Sequence, residues 1–228
     1  MCSRTQATEW IRAGRVSVDG RIVHDPEFPT IADRTRIAVD GRDLDAAPDR
    51  LHLMLNKPRG LVTTARDEQG RDTVYRCFDG AGLPWIAPVG RLDKASEGLL
   101  LFTNDPPWAA RITDPDTGPD KRYHVQVDRL PDDDTRAALR TGIAHEGDTL
   151  RAKSIDVLRT GERTAWLDVV LDEGRNRQFR RMLAACDIAV LRLVRVGIGS
   201  LALGDLAKGA WRPLTDAEVA DLARVRPG

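Results

Sequence analysis

Asp93 has the surroundings of a reactive carboxylate. It lies in Val89-Gly90-Arg91-Leu92-Asp93-Lys94-Ala95-Ser96-Glu97-Gly98, a polar loop with a cation on each side of the acid and a glycine towards each end. The chain then runs straight into apolar Leu99-Leu100-Leu101-Phe102. A carboxylate presented at the edge of a buried strand can attack an electrophilic carbon, as in covalent glycosidases. The same residues also make an ordinary turn, in which Arg91 and Asp93 form a surface ion pair worth under about 1 kcal/mol. On pattern alone the ordinary turn is the commoner outcome.

A second concentration of chemistry lies downstream. Between Gly174 and Arg195 stand six arginines (Arg175, Arg177, Arg180, Arg181, Arg192 and Arg195) against one acid, Asp187. Lysines plus arginines equal aspartates plus glutamates at 35 each, so the formal charge is zero. A locally basic segment on a neutral chain still offers phosphates a partner. Arg177, Arg180 and Arg181 either line a solvated helix face or serve a site. Of the two tyrosines, Tyr75 and Tyr123, the second follows Lys121-Arg122 on a strand. A strand tyrosine either packs its ring in the core, the commoner fate, or presents it to a substrate.

Several classes of chemistry find no support. The three cysteines are odd in number and dispersed, with no CxxC pair, which points to a reducing compartment. The four histidines are equally scattered, so no zinc-type cluster forms and no metal site is expected. Gly197-Ile198-Gly199 followed by Gly204 does not make a GxGxxG fingerprint, and neither a Walker loop nor a GxSxG elbow occurs. No signal peptide is legible, and the longest apolar runs are far too short to cross a bilayer. The expected location is cytoplasmic, with no membrane partner.

The elements that must position these residues fall into two groups. Residues 1–46 read as a small α/β module: Thr5 caps a helix through Ala13, and Gly14 ends it. Asp19-Gly20 between Val16-Ser17-Val18 and Arg21-Ile22-Val23 signals a tight hairpin. Ile37–Val39 before Asp40-Gly41 gives a further strand and turn, and Asp45–Asp49 reads as a linker. Residues 50–228 alternate strands with helices. Strands are expected at Leu51–Leu55, Leu99–Thr103, Tyr123–Val127, Trp166–Leu171 and Val190–Val196. Helices are expected after Pro131, closed by Gly142, and over Asn176–Cys186. A last helix is opened by a capping box of Thr215 with Glu218. Tight turns and helices both separate the strands, so the fold class is α+β with a mixed sheet rather than a doubly wound one.

Four blocks in order carry a resemblance. Leu55-Asn56-Lys57-Pro58-Arg59-Gly60, Gly90-Arg91-Leu92-Asp93 with Ser96-Glu97-Gly98-Leu99-Leu100, Glu173-Gly174-Arg175-Asn176-Arg177-Gln178-Phe179-Arg180-Arg181-Met182, and Leu203-Gly204-Asp205-Leu206 with Gly209 and Trp211 together resemble the RsuA/RluB-type ribosomal RNA pseudouridine synthases. Residues 3–24 resemble the second half of the alpha-L RNA-binding module. Such modules carry another helix ahead of the Ser-Arg pair, so either this one is shortened or the start of the chain was placed too late. The resemblance implies a pseudouridine synthase fold with a central mixed, mainly antiparallel sheet and a catalytic cleft, plus the small N-terminal module.

The reaction so implied breaks the C1′–N1 glycosidic bond of a uridine, turns the base and rejoins it through C5, with no metal or organic cofactor. The resemblance assigns the nucleophile to Asp93, the tyrosine against the base to Tyr123, and the cation that keeps Asp93 ionised to Arg180, with Arg181 its rival. The target base must leave its stack to reach them. RNA contacts are expected from Asn56, Lys57, Arg59, Arg91, Arg177 and Arg181, and from Arg4, Arg12 and Arg15 of the N-terminal module. The expected partner of a monomeric enzyme is ribosomal RNA, free or in pre-ribosomal particles. Leu61-Val62-Thr63-Thr64, Gly70–Val74 and the Arg-Asn-Arg-Gln run favour large-subunit RNA over small-subunit RNA. The rivals are a non-catalytic rRNA-binding assembly factor and a glycosidic hydrolase, although no second acid is evident to pair with Asp93.

Overall fold

The computed structural model describes residues 2, 4–31, 34–44, 49–145, 147–172 and 178–224. The chain separates into two compact units, Met1–Arg50 with Gly82–Ala87, and Leu51–Ala81 with Pro88–Gly228. Most of the expected linker, residues 45–48, lies outside the described residues.

The first unit holds α1 (Arg4–Arg12) and four short strands, β1 (Val16–Val18), β2 (Arg21–Val23), β3 (Ile37–Val39) and β4 (Arg42–Asp43), in the order β2-β1-β3-β4 with antiparallel pairing. Both Asp-Gly pairs adopt positive φ at each residue, 49° and 81° at Asp19-Gly20 and 50° and 75° at Asp40-Gly41. That conformation lets a two-residue turn match the twist of its strands. Val16, Val18 and Val23 form a small core, with Trp10, Ile11, Ile37 and Val39 packed against it. Thr5 does not cap α1. The helix already includes Arg4, so the cap position falls on residue 3, outside the described residues.

The second unit contains β5 (His52–Lys57), a 3-10 turn (Val74–Phe78), all but the first residue of β6 (Ala87–Val89), β7 (Glu97–Thr103), α2 (Pro106–Thr113), β8 (Lys121–Val127), α3 (Asp133–Thr141), β9 (Ile143–His145) and β10 (Asp148–Leu150). It continues through β11 (Ser154–Thr160), β12 (Ala165–Leu171), α4 (Gln178–Ala184), β13 (Val190–Ile198), β14 (Leu201–Ala202), β15 (Trp211–Pro213) and α5 (Asp216–Leu222). The central sheet runs β11-β12-β8-β13-β7-β5-β15. Its pairings are antiparallel except β13 with β7, which is parallel. The sheet is therefore mixed and mainly antiparallel.

Burial follows the sequence patterns. Every residue of β7 is buried, because Leu99 and Leu101 pack with Trp108, Ile112 and Leu222 from α2 and α5, while Phe102 meets Phe78 and Tyr75 edge-on. A strand covered on both faces reads as a continuous apolar run rather than an alternating one. β12 alternates instead, with Ala165, Leu167, Val169 and Leu171 turned to the core beneath α3 and α4. Asp132 caps α3, and Gly142 closes it with φ 125°. The Thr215–Glu218 capping box opens α5. The helix expected over Asn176–Cys186 is observed as Gln178–Ala184. Its expected start, the Glu173-Gly174 turn and Arg177 all lie outside the described residues.

Candidate active site

The parallel pairing of β7 with β13 is what assembles the site. Its register sets Val194 beside Glu97 and Arg195 beside Gly98, while β8 sets Tyr123 beside Arg195 from the other side. Gly98 makes the approach feasible: at φ 100°, a Cβ there would lie 2.2 Å from the Arg195 carbonyl oxygen. No other residue type fits so close to a neighbouring backbone. The loop that feeds β7, with Asp93 in it, is thereby set over the middle of β8 and β13.

A cavity of about 200 Å³ opens there. Arg91, Leu92, Asp93 and Ser96 supply one wall, Lys121 and Tyr123 of β8 another, Gln178, Phe179 and Arg180 of α4 a third, and Leu193, Arg195 and Ile198 of β13 the last. Asp93, Tyr123 and Arg180, expected to act together, thus line one cavity although they come from three separate segments. Arg180 is steadied by donating Nη1 to the Val190 carbonyl at 3.2 Å. Arg181, next along the helix, is not among the cavity residues. It donates to Asp148 Oδ2 at 3.0 Å and to the His145 carbonyl at 3.3 Å, as the helical turn of about 100° per residue requires for neighbours.

The Asp93 loop is gripped from behind by the end of β5 and the chain that follows it. Lys57 is completely buried. Its Nζ donates to the carbonyls of Pro58 (3.1 Å), Asp93 (3.2 Å) and Ser96 (2.8 Å). The Gly60 amide donates to the Lys94 carbonyl at 2.8 Å, and Thr63 Oγ1 donates to the Leu92 carbonyl at 2.7 Å. Burial pushes the Lys57 pKa down to about 8, against the opposing influence of Asp93, Cys77 and Glu97. Behind the same loop, Glu97 accepts from Arg192 Nε at 3.0 Å and Lys208 Nζ at 2.6 Å. Burial works to raise the Glu97 carboxyl, but the hydrogen bonds from Arg192 and Lys208 outweigh it and hold it below its ordinary value.

Two of the residues expected to contact RNA are buried. Asn56 is 8% exposed and donates Nδ2 to the Leu206 carbonyl at 2.6 Å. Lys57 Nζ is occupied as described. Both stand in a strand covered on each side, and a buried polar group must find its partners inside the protein. Arg59 and Arg91 are exposed, Arg91 at the cavity wall. In the first unit Arg4, Arg12 and Arg15 are all exposed. Arg15 is bound to Asp40 and lies 5.1 Å from the centre of the Trp10 ring. The sequence reading left out Thr63, Gln178 and Arg195 as site residues. A polar residue set among the apolar positions of a helix or strand was the available signal for the last two.

The cavity brings together a carboxylate, a phenol and a guanidinium over an apolar floor, a set that can ionise a nucleophile and hold a flat ring. Against known proteins, residues 51–185 match the family model described as RNA pseudouridylate synthase, and residues 1–29 match the S4 domain. Ribosomal large subunit pseudouridine synthase B of Haemophilus influenzae is 35% identical over 93% of this chain, which spans 61% of that protein. Ribosomal small subunit pseudouridine synthase A of Salmonella typhimurium is 34% identical over 96% of this chain and 94% of its own length. The large-subunit synthase B of Bacillus subtilis is 35% identical over 96% and 89% respectively. A solved structure described as a crystal structure of pseudouridylate synthase superposes with a TM-score of 0.69 at 31% identity, covering 96% of this chain and 94% of that one. With well over half its length matched to the family model and relatives similar along nearly all of it, the chain belongs to the RNA pseudouridylate synthases and carries an N-terminal S4 domain.

Proposed function

We propose that this enzyme converts one uridine of large-subunit ribosomal RNA to pseudouridine, with Asp93 as nucleophile, Arg180 as its counter-ion and Tyr123 against the base. The observation that carries the reading is the shared cavity of these three residues. Asp93 attacks the nucleotide as the C1′–N1 bond breaks. The freed uracil turns beneath Tyr123, C5 bonds to C1′ as the bond between C1′ and Asp93 breaks and returns the carboxylate, the C5 proton leaves and N1 ends protonated. The reaction is an isomerisation, so no electrons are exchanged with an outside partner. The Arg180 guanidinium stands in the same cavity wall as the Asp93 carboxylate. The exposed arginines of the first unit, Arg4, Arg12 and Arg15, contact the folded RNA outside the target nucleotide.

The choice of large-subunit RNA rests on the Leu61–Thr64 and Gly70–Val74 segments and the Arg-Asn-Arg-Gln run. Small-subunit RNA is the second reading, favoured by the 94% coverage of the Salmonella synthase A. Mapping pseudouridine across the ribosomal RNA of cells with and without the gene decides between them. Loss of one site in the large-subunit RNA is expected. Loss of a small-subunit site would move the substrate, and an unchanged map would mark a non-catalytic binding factor acting in the cytosol on the same RNA.

A further inference from the structure

Two polar side chains in the cavity wall stand out by what they leave undone. Gln178 and Arg195 are 2% and 5% exposed. Gln178 donates Nε2 to the Arg151 carbonyl at 3.0 Å. A carbonyl can only accept, so this bond fixes which end of the amide is oxygen. The amide's Oε1 is then shut away from solvent with no hydrogen-bond partner. Arg195 donates Nε to the Leu99 carbonyl at 2.7 Å, and its Nη2 is likewise buried and unpartnered. Buried polar atoms without partners are rare in native proteins, and each calls for an explanation. Both residues belong to the wall of the same small cavity.

We propose that Gln178 and Arg195 read the hydrogen-bonding edge of the flipped base and so admit uracil over cytosine. The inference rests on the reading of this cavity as the uridine pocket. Uracil carries a ring N3–H donor flanked by two carbonyl acceptors. Gln178 Oε1 accepts from N3–H, and Arg195 Nη2 donates to the O4 carbonyl oxygen. Cytosine has an acceptor at N3 and an amino donor at C4. It sets a lone pair against the Gln178 oxygen and an N–H against the Arg195 nitrogen. Rejection by mismatched polar groups is far stronger than rejection by size, because a wrong base leaves buried groups unpaired. The apolar floor of Leu193 and Phe179 offers those groups no alternative partner.

The test compares binding of RNA hairpins that differ only at the target position, carrying uridine, cytidine or an abasic site. Proteins carry Asp93→Asn, and the same solutions are assayed for pseudouridine. A failure of the Asp93 assignment then shows as product, separately from any change in base preference. The parent protein should bind the uridine hairpin about tenfold or more tightly than the cytidine one. Adding Gln178→Met or Arg195→Met should bring that ratio to within about twofold, one absent polar partner being enough to remove most of the discrimination. A merely structural role would weaken binding to all three hairpins alike and leave the ratio unchanged. Equal binding of uridine and cytidine by the parent protein would overturn the proposal without recourse to any further variant. So would a parental ratio retained in either Met variant.

Discussion

Replacing Lys57 by methionine should slow the chemistry without loosening the RNA. The side chains are close in length, so the change removes a charge and three hydrogen bonds but little volume. Those bonds run to the Pro58, Asp93 and Ser96 carbonyls at 2.8–3.2 Å. Hydrogen bonds from charged donors contribute roughly 1.5–3 kcal/mol each before desolvation is counted. Part of that total offsets the burial that brings the Lys57 pKa down to about 8. A net loss of about 2–3 kcal/mol is therefore expected in global stability. If about half to all of it is felt as mispositioning of Asp93, the single-turnover rate at saturating RNA falls roughly 10-fold to 100-fold. RNA affinity should change less than about threefold, since a group with no exposed surface releases no counterion from RNA. Single-turnover pseudouridine formation, titrated to saturation and paired with thermal melting, measures each quantity. Weakened binding with an intact saturated rate would refute the reasoning and return Lys57 to the RNA-contacting role that its sequence context suggested. The sign of the pH effect can also be stated. A folded pKa of about 8 lies below the ordinary 10.5, so the folded state sheds this proton first. The unfavourable contribution of Lys57 is full below pH 8 and is relieved as pH rises from 8 towards 10.5. A stability gain in that window should be present in the wild type and missing from Lys57→Met.

Other substitutions probe the remaining parts of the site. Asp93→Asn keeps shape and removes the nucleophilic charge, so pseudouridine formation should fall by about 3–4 orders of magnitude while RNA binding survives. Appreciable product from a clean preparation would end the assignment. Arg180→Ala should lower the saturated single-turnover rate, whereas Arg181→Ala, which breaks contacts to Asp148 and His145, should act mainly on binding and stability. The reverse pattern in the same assay would transfer the role to Arg181. Gly98→Ala forces a Cβ to within 2.2 Å of the Arg195 carbonyl at φ 100°, and should cost about 3 kcal/mol or more. That corresponds to a fall in Tm of roughly 6–12 °C, and a melting curve within 2 °C of wild type would contradict the close approach of β7 and β13.

What the sequence disclosed, and what it hid, divides by the range of the forces involved. The Asp19-Gly20 and Asp40-Gly41 turns, the Thr215–Glu218 box and the Asp132–Gly142 helix ends are set by groups within a few residues, and each was legible. So was the buried run of β7, whose apolar residues advertise cover on both faces. β11 was missed because its pattern is broken by a bulge between Val157 and Arg159, which spoils the alternation that marks a strand. α2 was missed because it opens on Pro106-Pro107, which reads as loop until Asp105 is seen capping it. The burial of Lys57 was hidden for a similar reason: a lysine beside proline and arginine suggests a surface, and only the tertiary fold supplies the three carbonyls that hold it. Asp93, Tyr123 and Arg180 were named from the motifs they stand in. That they share a cavity depends on the parallel register of β7 and β13, which no local pattern encodes.

That register has a consequence for how the enzyme is made. Val194 pairs with Glu97 across nearly a hundred intervening residues, so the contact that builds the cavity has a high sequence separation. Closing so long a loop is entropically costly and slow relative to forming the local hairpins. During synthesis, Asp93, Tyr123 and the hairpin of β11 and β12 leave the ribosome well before β13 does. Until β13 enters between β8 and β7, the flanks of those strands stay unpaired, the exposed edges that invite association between nascent chains. The cavity is thus a late property of the growing chain: a nascent polypeptide ending before Val190 would hold Asp93 and Tyr123 yet lack the β13 wall that joins them.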